Sequence, residues 1–149
     1  MGHLKALAIS LGFVFAAPHA LACSCMPFES AQAQLDSADL VFEGQVINVA
    51  REKDQRSLWQ RLKGEPASRR QVTTFQVYQS FKGDPGTTIA LTHLGADRGG
   101  ICGIDFNQTE PFVVLAYESS DGTYSSSLCT QAQFSVEAFR AAAEVSASE

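Results

Sequence analysis

The residues of this chain best suited to chemistry are its four cysteines, two of which are separated by a single residue. Cys23 and Cys25 lie in the stretch 20–27, ALACSCMP, and the other two thiols are Cys102 and Cys129. An even number of thiols in an exported chain predicts two disulfides. A bond between Cys23 and Cys25 would close a small, strained ring, so each should reach one of the two distant cysteines. A Cys-x-Cys pair can also bind soft metals, but we favour disulfides and predict no metal site of the protein's own.

The first 22 residues have the layout of a cleaved secretion signal. Lys5 precedes the apolar run 6–17, and the segment ends with small residues at Ala20 and Ala22. The sequence therefore predicts an extracytoplasmic protein, secreted or periplasmic, that begins at Cys23. The stretch also partly resembles a lipoprotein box, but lipidation of Cys23 would leave another thiol without a partner. We predict that Cys23 is unmodified.

Residues 23–149 suffice for one domain with one compact core. They carry ten basic residues against sixteen acidic ones, which gives a net charge of about −6. This balance argues against a nucleic-acid partner. No later apolar run is long enough to cross a bilayer, so we expect no membrane span. We also expect the domain to be a monomer.

Alternation of apolar and polar residues predicts five short strands and two flanking helices. Gly44 lies inside the first strand and indicates a bulge or a sharp bend. The segment 112–117, FVVLAY, is apolar on both faces, which is typical of a strand covered on both sides. An all-β closed barrel fits five strands better than a sandwich, which would need more. The strands are predicted at residues 40–49, 71–81, 87–93, 112–117 and 123–128, and the helices within 28–39 and at 136–143.

Residues 51–70 interrupt this pattern with seven basic and three acidic residues, so that the segment has a net charge of +4. Leu58 and Trp59 lie among these charges without an obvious core to join. We predict an exposed loop between the first two strands. Because exposed Trp and Arg often anchor interfaces, the loop is a candidate for a secondary contact surface.

Signatures of catalysis are absent from the sequence. His93 is the only histidine after residue 22, and it continues an apolar strand face, which favours a packed histidine. No nucleophile elbow, P-loop or dinucleotide fingerprint occurs. We predict that the protein is not an enzyme and uses no cofactor. Residues 107–109, Asn-Gln-Thr, form a glycosylation sequon at Asn107 that matters only in a host with that pathway.

The order of these features resembles the N-terminal domain of the tissue inhibitors of metalloproteinases, or TIMPs, and their netrin-like relatives, in a short, bacterial-type form. The Cys-x-Cys start at Cys23 precedes a short helix, the strand ADLVFEGQV and a basic hairpin. The stretch ICGIDFNQTEPFVVLAYESSDGTYSSSLC then resembles the second half of that domain, with a Cys-Gly loop, a hydrophobic strand, an Asp-Gly turn and a closing Cys. The resemblance implies a five-stranded OB barrel with the pairings Cys23–Cys102 and Cys25–Cys129.

The resemblance also implies a function that depends on the free N-terminus. The α-amino and carbonyl groups of Cys23 would chelate the catalytic zinc of a metalloendopeptidase, which keeps a position open for water. An α-amine with a pKa of about 7.7–8.0 loses its proton readily enough to bind zinc. Ser24 would enter the specificity pocket, and Cys25, Met26 and Pro27 would fill the cleft. The alternative is an exported OB-fold binding or structural module in which the cysteines serve only as a staple.

Overall fold

The computed structural model describes residues 23–53, 56–65, 70–96 and 102–148. The predicted secretion signal, residues 1–22, lies outside these ranges. The described residues form five strands, three α-helices and one 3-10 turn. The strands are β1 (Leu40–Arg51), β2 (Arg70–Lys82), β3 (Thr88–Leu94), β4 (Phe112–Glu118) and β5 (Tyr124–Ser125). The helices are α1 (Ala31–Ser37), α2 (Leu58–Leu62) and α3 (Val136–Ser146), and the 3-10 turn is Leu128–Thr130.

The five strands close into a barrel in the order β1-β2-β3-β5-β4, with β4 pairing back onto β1. All neighbours are antiparallel except β3 and β5, which run parallel. This is the strand order of the OB fold. The predicted fold class, an all-β five-stranded OB barrel with short flanking helices and two disulfides, is therefore confirmed.

Two apolar clusters fill the two sides of the sheet. The first is built around Phe42, Phe75 and Leu91, and the second packs the outer face of β1 and β4 against α1 and α3, with Phe139 fully buried. Because β4 contributes Val114 and Ala116 to one cluster and Val113 and Leu115 to the other, it is covered on both faces. The sequence prediction for this strand is confirmed.

Gly44 marks a bulge in β1, as predicted. The register between β1 and β2 shifts between Glu43 and Gly44. A Cβ atom at Gly44 would lie 2.9 Å from the carbonyl oxygen of Gln76 and 3.0 Å from the ring of Phe42. Only glycine allows this close approach without a shift of the neighbours, and the bulge lets the strand curl into the barrel.

Two predicted elements differ from the structure. The last strand was expected at 123–128, but β5 covers only Tyr124–Ser125. It ends early because Ser127 and Thr130 cap a 3-10 turn. The exposed loop expected at 51–70 contains the short helix α2, which begins at a capping box formed by Ser57 and Gln60. None of the helices within the described ranges is long and apolar enough to cross a bilayer.

Candidate functional site

The candidate site is the N-terminal edge, which we define as residues 23–28. It is a segment without regular secondary structure before α1, and both of its cysteines are disulfide-bonded. Cys23 pairs with Cys102, at a Cα–Cα distance of 5.6 Å, and Cys25 pairs with Cys129, at 5.0 Å. Both distances lie in the usual range for disulfides. The pairing implied by the family resemblance is the one found.

The fold brings both partner cysteines to the same end of the barrel. Because β3 and β5 are parallel, their carboxyl ends lie side by side, and Ser126 N–H continues the pairing by donating to Thr92 O at 3.2 Å. Cys102 follows β3 and Cys129 follows β5. The amide of Leu128 donates to the carbonyl of Cys102 at 3.2 Å, which joins the two attachment loops. The N-terminal edge is thus tied to two adjacent loops.

Gly103 fixes the position of the first attachment loop. Its backbone approaches the end of β3 so closely that a Cβ atom would lie 2.2 Å from the carbonyl oxygen of Gly95. The next residue, Ile104, is buried and donates its amide to Leu94 O at 2.7 Å. The Cys-Gly pair of the sequence therefore has a steric reason: the glycine lets the loop lie against β3 and so places Cys102.

Two glutamines, Gln133 and Gln34, position residues 26–28 of the N-terminal edge through hydrogen bonds. Gln133 receives the amide of Phe28 on Oε1 at 2.9 Å and donates through Nε2 to the carbonyl of Met26 at 3.4 Å. Gln133 is itself positioned by Gln34 of α1, whose Oε1 accepts the Gln133 amide at 3.0 Å. Gln34 is fully buried and also donates to Gln131 O at 2.8 Å. The edge is therefore fixed by hydrogen bonds beyond its disulfides.

The side chains along the edge divide into anchors and exposed groups. Cys23 and Cys25 are half-buried by their disulfides, whereas Ser24 and Pro27 are exposed. Met26 is 84 % exposed, the largest value among the exposed large apolar residues of the described chain. The edge thus presents Ser24, Met26 and Pro27 outward from a backbone held in place.

A groove of about 430 Å³ lies beside the segment that anchors the edge. Its walls include Phe106, Phe112 and Phe134, and Thr130 and Gln131 line it between Cys129 and Gln133. Glu137 lies at its border. Hydrogen bonds from its own backbone N–H and from the Ser135 side chain lower the pKa of Glu137.

His93 is a packed residue of the barrel, as the strand pattern predicts. It is 4 % exposed, its Nε2 lies 2.7 Å from the hydroxyl of Thr73, and its ring packs edge-on against Phe106. Within the described ranges, no group of three or more His, Cys, Asp or Glu side chains is arranged to hold a metal ion. Asn107 of the predicted sequon is exposed in the loop before β4.

Sequence reasoning missed Gln34 and Gln133. A glutamine in an Ala/Gln-rich helix and another in a polar connection give no signal of a shared role, because their pairing depends on tertiary packing. Of the five residues singled out at the N-terminus, Ser24, Met26 and Pro27 are exposed, and Cys23 and Cys25 are half-buried.

Two comparisons with known proteins did not identify a family for this chain. Neither a scan against protein-family models nor a search of curated proteins found a match for this chain. The resemblance to the TIMPs therefore stays a prediction.

Proposed function

We propose that the chain, exported and cleaved before Cys23, inhibits a zinc metalloendopeptidase with its N-terminal edge. The observation that carries this proposal is the edge itself. Its backbone is held by the disulfides of Cys23 and Cys25 and by Gln133, while Ser24 and Met26 are exposed. An exposed N-terminal segment with a fixed backbone is the form that can enter a protease cleft in place of a substrate.

The chemistry assigned to Cys23 needs only its backbone. Its neutral α-amine and its carbonyl oxygen would bind the partner's zinc together, in the position that the catalytic water otherwise occupies. Cys23 would therefore serve two roles, since its sulfur is bonded to Cys102 while its amine, once freed by cleavage, and its carbonyl would bind the zinc. Ser24 would then point into the specificity pocket, and Cys25, Met26 and Pro27 would follow along the cleft.

The fixed backbone of the N-terminal edge supports the proposal, because it reduces the conformational entropy that would be lost on binding. A flexible peptide loses conformational freedom when it enters a cleft, and this loss weakens its affinity. The N-terminal edge is ordered before it meets a partner, because two disulfides and two hydrogen bonds with Gln133 already restrict it. Binding would cost less than it does for a free peptide of the same sequence.

The proposed location is outside the cytoplasm. Two disulfides are typical of proteins in oxidising compartments, and they agree with the secretion signal predicted at residues 1–22. Because the Cys23 sulfur is bonded to Cys102, the same atom cannot carry the thioether of a lipoprotein. This supports a secreted or periplasmic protein with an unmodified Cys23.

The groove beside β4 favours a second candidate function. Its volume of about 430 Å³ and its aromatic walls are within the range of small-molecule sites. On this alternative the chain is an exported OB-fold binding module, and its N-terminal cysteines serve only to staple the first residues to the barrel.

Titration of the mature chain against zinc endopeptidases tests the inhibitor proposal. The protein should begin at Cys23, and a serine endopeptidase should serve as the control class. We expect stoichiometric inhibition of one or more zinc enzymes and none of the serine enzyme. Inhibition of neither class would reject the proposal in favour of the binding module. Equal inhibition of both classes would also reject it, since the chelating mechanism requires a zinc ion.

A further inference from the structure

Helix α2 presents an unusually exposed apolar face. Leu58 is 71 % exposed, Trp59 73 % and Leu62 70 %. With about 100° between successive residues of a helix, these three side chains cover one arc of the helix, while Gln60 and Arg61 lie on the opposite side. We call these three residues the α2 face. No residue of α2 is buried, so the face is not part of either core cluster.

The α2 face is preformed. The hydroxyl of Ser57 accepts the amide of Gln60 at 3.3 Å, and the side chain of Gln60 accepts the amide of Ser57 at 2.8 Å. Arg61 Nε also reaches back to donate to Arg56 O at 3.2 Å, and at the C-terminal end Glu65 N–H donates to Gln60 O at 3.0 Å. These hydrogen bonds stabilise the short helix, and the helical backbone keeps its three exposed apolar side chains on one side.

The charge around the α2 face is opposite to that of the rest of the chain. The described residues of the segment 51–70 include six basic side chains and only two acidic ones, Glu52 and Glu65. The whole segment has a net charge of +4, whereas the remainder of residues 23–149 has a net charge of about −10. The basic side chains are Arg51, Lys53, Arg56, Arg61, Lys63 and Arg70. A partner whose charge complements that of the segment 51–70 would be anionic.

We propose that the α2 face binds the surface of an anionic lipid membrane. Tryptophan and leucine on one side of a helix, with lysine and arginine around them, are typical of segments that lie in the membrane interface. The basic residues would meet the lipid phosphates while the apolar side chains enter the headgroup boundary. Helix α2 lies in the connection between β1 and β2, whose paired ends place Arg51 opposite Gln71, and none of its residues is buried, so it can meet a surface without unfolding of the barrel. This inference does not depend on protease inhibition.

Trp59 provides a direct readout because it is the chain's only tryptophan. The experiment adds vesicles of phosphatidylcholine with phosphatidylglycerol to the mature chain and records tryptophan emission together with co-sedimentation. We expect a blue shift and sedimentation with the mixed vesicles, and neither with pure phosphatidylcholine. Added salt should reverse much of the binding, since exposed charges are screened.

Variants separate the apolar and the charged contributions. The double variant Leu58→Gln/Leu62→Gln keeps Trp59 and should weaken vesicle binding at least about tenfold. Lys53→Gln and Lys63→Gln should each weaken it about fivefold. The matched control is Val145→Gln, which removes an exposed apolar side chain, 56 % exposed, from α3 and should leave vesicle binding unchanged.

Three experimental results would contradict the proposal that the α2 face binds an anionic membrane. If anionic vesicles neither shift the emission of Trp59 nor sediment the protein, the proposal is wrong. If polyglutamate shifts the emission while vesicles do not, the face binds acidic protein and the lipid assignment is again wrong. Unchanged vesicle binding in Leu58→Gln/Leu62→Gln would reject the α2 face as the site of contact.

Discussion

At the scale of single residues, Gln133 has a structural role that the sequence did not reveal. It bonds two backbone groups of the N-terminal edge and receives its own position from the buried Gln34. A buried polar side chain must find partners within the fold, since leaving it unsatisfied destabilises the protein. The position of the edge is thus coupled to helix α1 through Gln133 and Gln34, in addition to the short chain link between them.

Replacing Gln133 with alanine should loosen the N-terminal edge without unfolding the barrel. Two exposed hydrogen bonds to residues 26–28 are lost, each contributing about 0.5 kcal/mol, so the inhibition constant should rise about three- to tenfold. The control is Gln131→Ala, because the Gln131 contact to Gln34 uses its backbone carbonyl. If the two variants inhibit equally well, the Gln133 hydrogen bonds do not contribute to inhibition.

Ser24 should decide which proteases respond. Its side chain is exposed, so Ser24→Leu should leave the melting temperature unchanged while altering the order of inhibition constants across a panel of zinc endopeptidases. Ser120→Leu, at an exposed position in the turn after β4, is the matched control and should change nothing. An unchanged order of inhibition in Ser24→Leu would show that this side chain does not enter the specificity pocket.

At the scale of elements, the disulfide Cys25–Cys129 both closes a long loop and positions the N-terminal edge. It joins residues 104 positions apart and fixes the edge to the 3-10 turn after β5. The variant Cys25→Ala/Cys129→Ala should lose about 4–5 kcal/mol of unfolding free energy, on the chain-entropy account. It should still fold around Cys23–Cys102, which mass analysis can verify, but inhibit more weakly. Full potency in this variant would show that the disulfide contributes only to stability.

The α2 segment should be separable from the barrel. Its described residues 56–65 contribute no side chain to either core cluster. Replacing residues 53–69 with Asn-Gly, a two-residue hairpin turn that keeps Glu52 opposite Arg70, should change the melting temperature by less than about 4 °C. The same variant should lose vesicle binding. Loss of cooperative unfolding would mean that the segment belongs to the core.

At the scale of the whole molecule, much of the fold could be predicted from local patterns. Alternation located four strands within about two residues, and the apolar segment 112–117 identified the strand with two buried faces. Gly44 indicated the bulge because a strand tolerates glycine where backbones approach closely. These features depend on the chain's own neighbours, which is why they are visible in the sequence.

Other features depend on contacts between distant parts of the chain. The parallel pairing of β3 with β5 brings Cys102 and Cys129 together, yet spacing alone left both distant pairings of Cys23 and Cys25 open. The early end of β5 follows from a 3-10 turn, and helix α2 from a capping box inside a charged segment. In each case a hydrogen bond or a strand neighbour outweighs the local pattern.

The β1–β2 connection and the loops that carry Cys102 and Cys129 lie at the same end of the barrel. Arg70, at the start of β2, pairs with Leu94 at the end of β3, so the β1–β2 connection lies at the barrel end that carries the two attachment loops. The N-terminal edge and the α2 segment therefore share one end of the barrel. If both proposals hold, the protein acts at a membrane surface with its inhibitory edge at the same end as its membrane contact.

The inhibition constant of a chain extended by one alanine before Cys23 tests the central claim most directly. The added residue moves the free amine off Cys23 and should leave the fold and both disulfides intact, which melting and mass analysis can verify. We predict that the native chain inhibits its zinc endopeptidase while the extended chain loses nearly all inhibition, because the chelating pair no longer reaches the zinc. Equal potency of the two proteins would contradict the account.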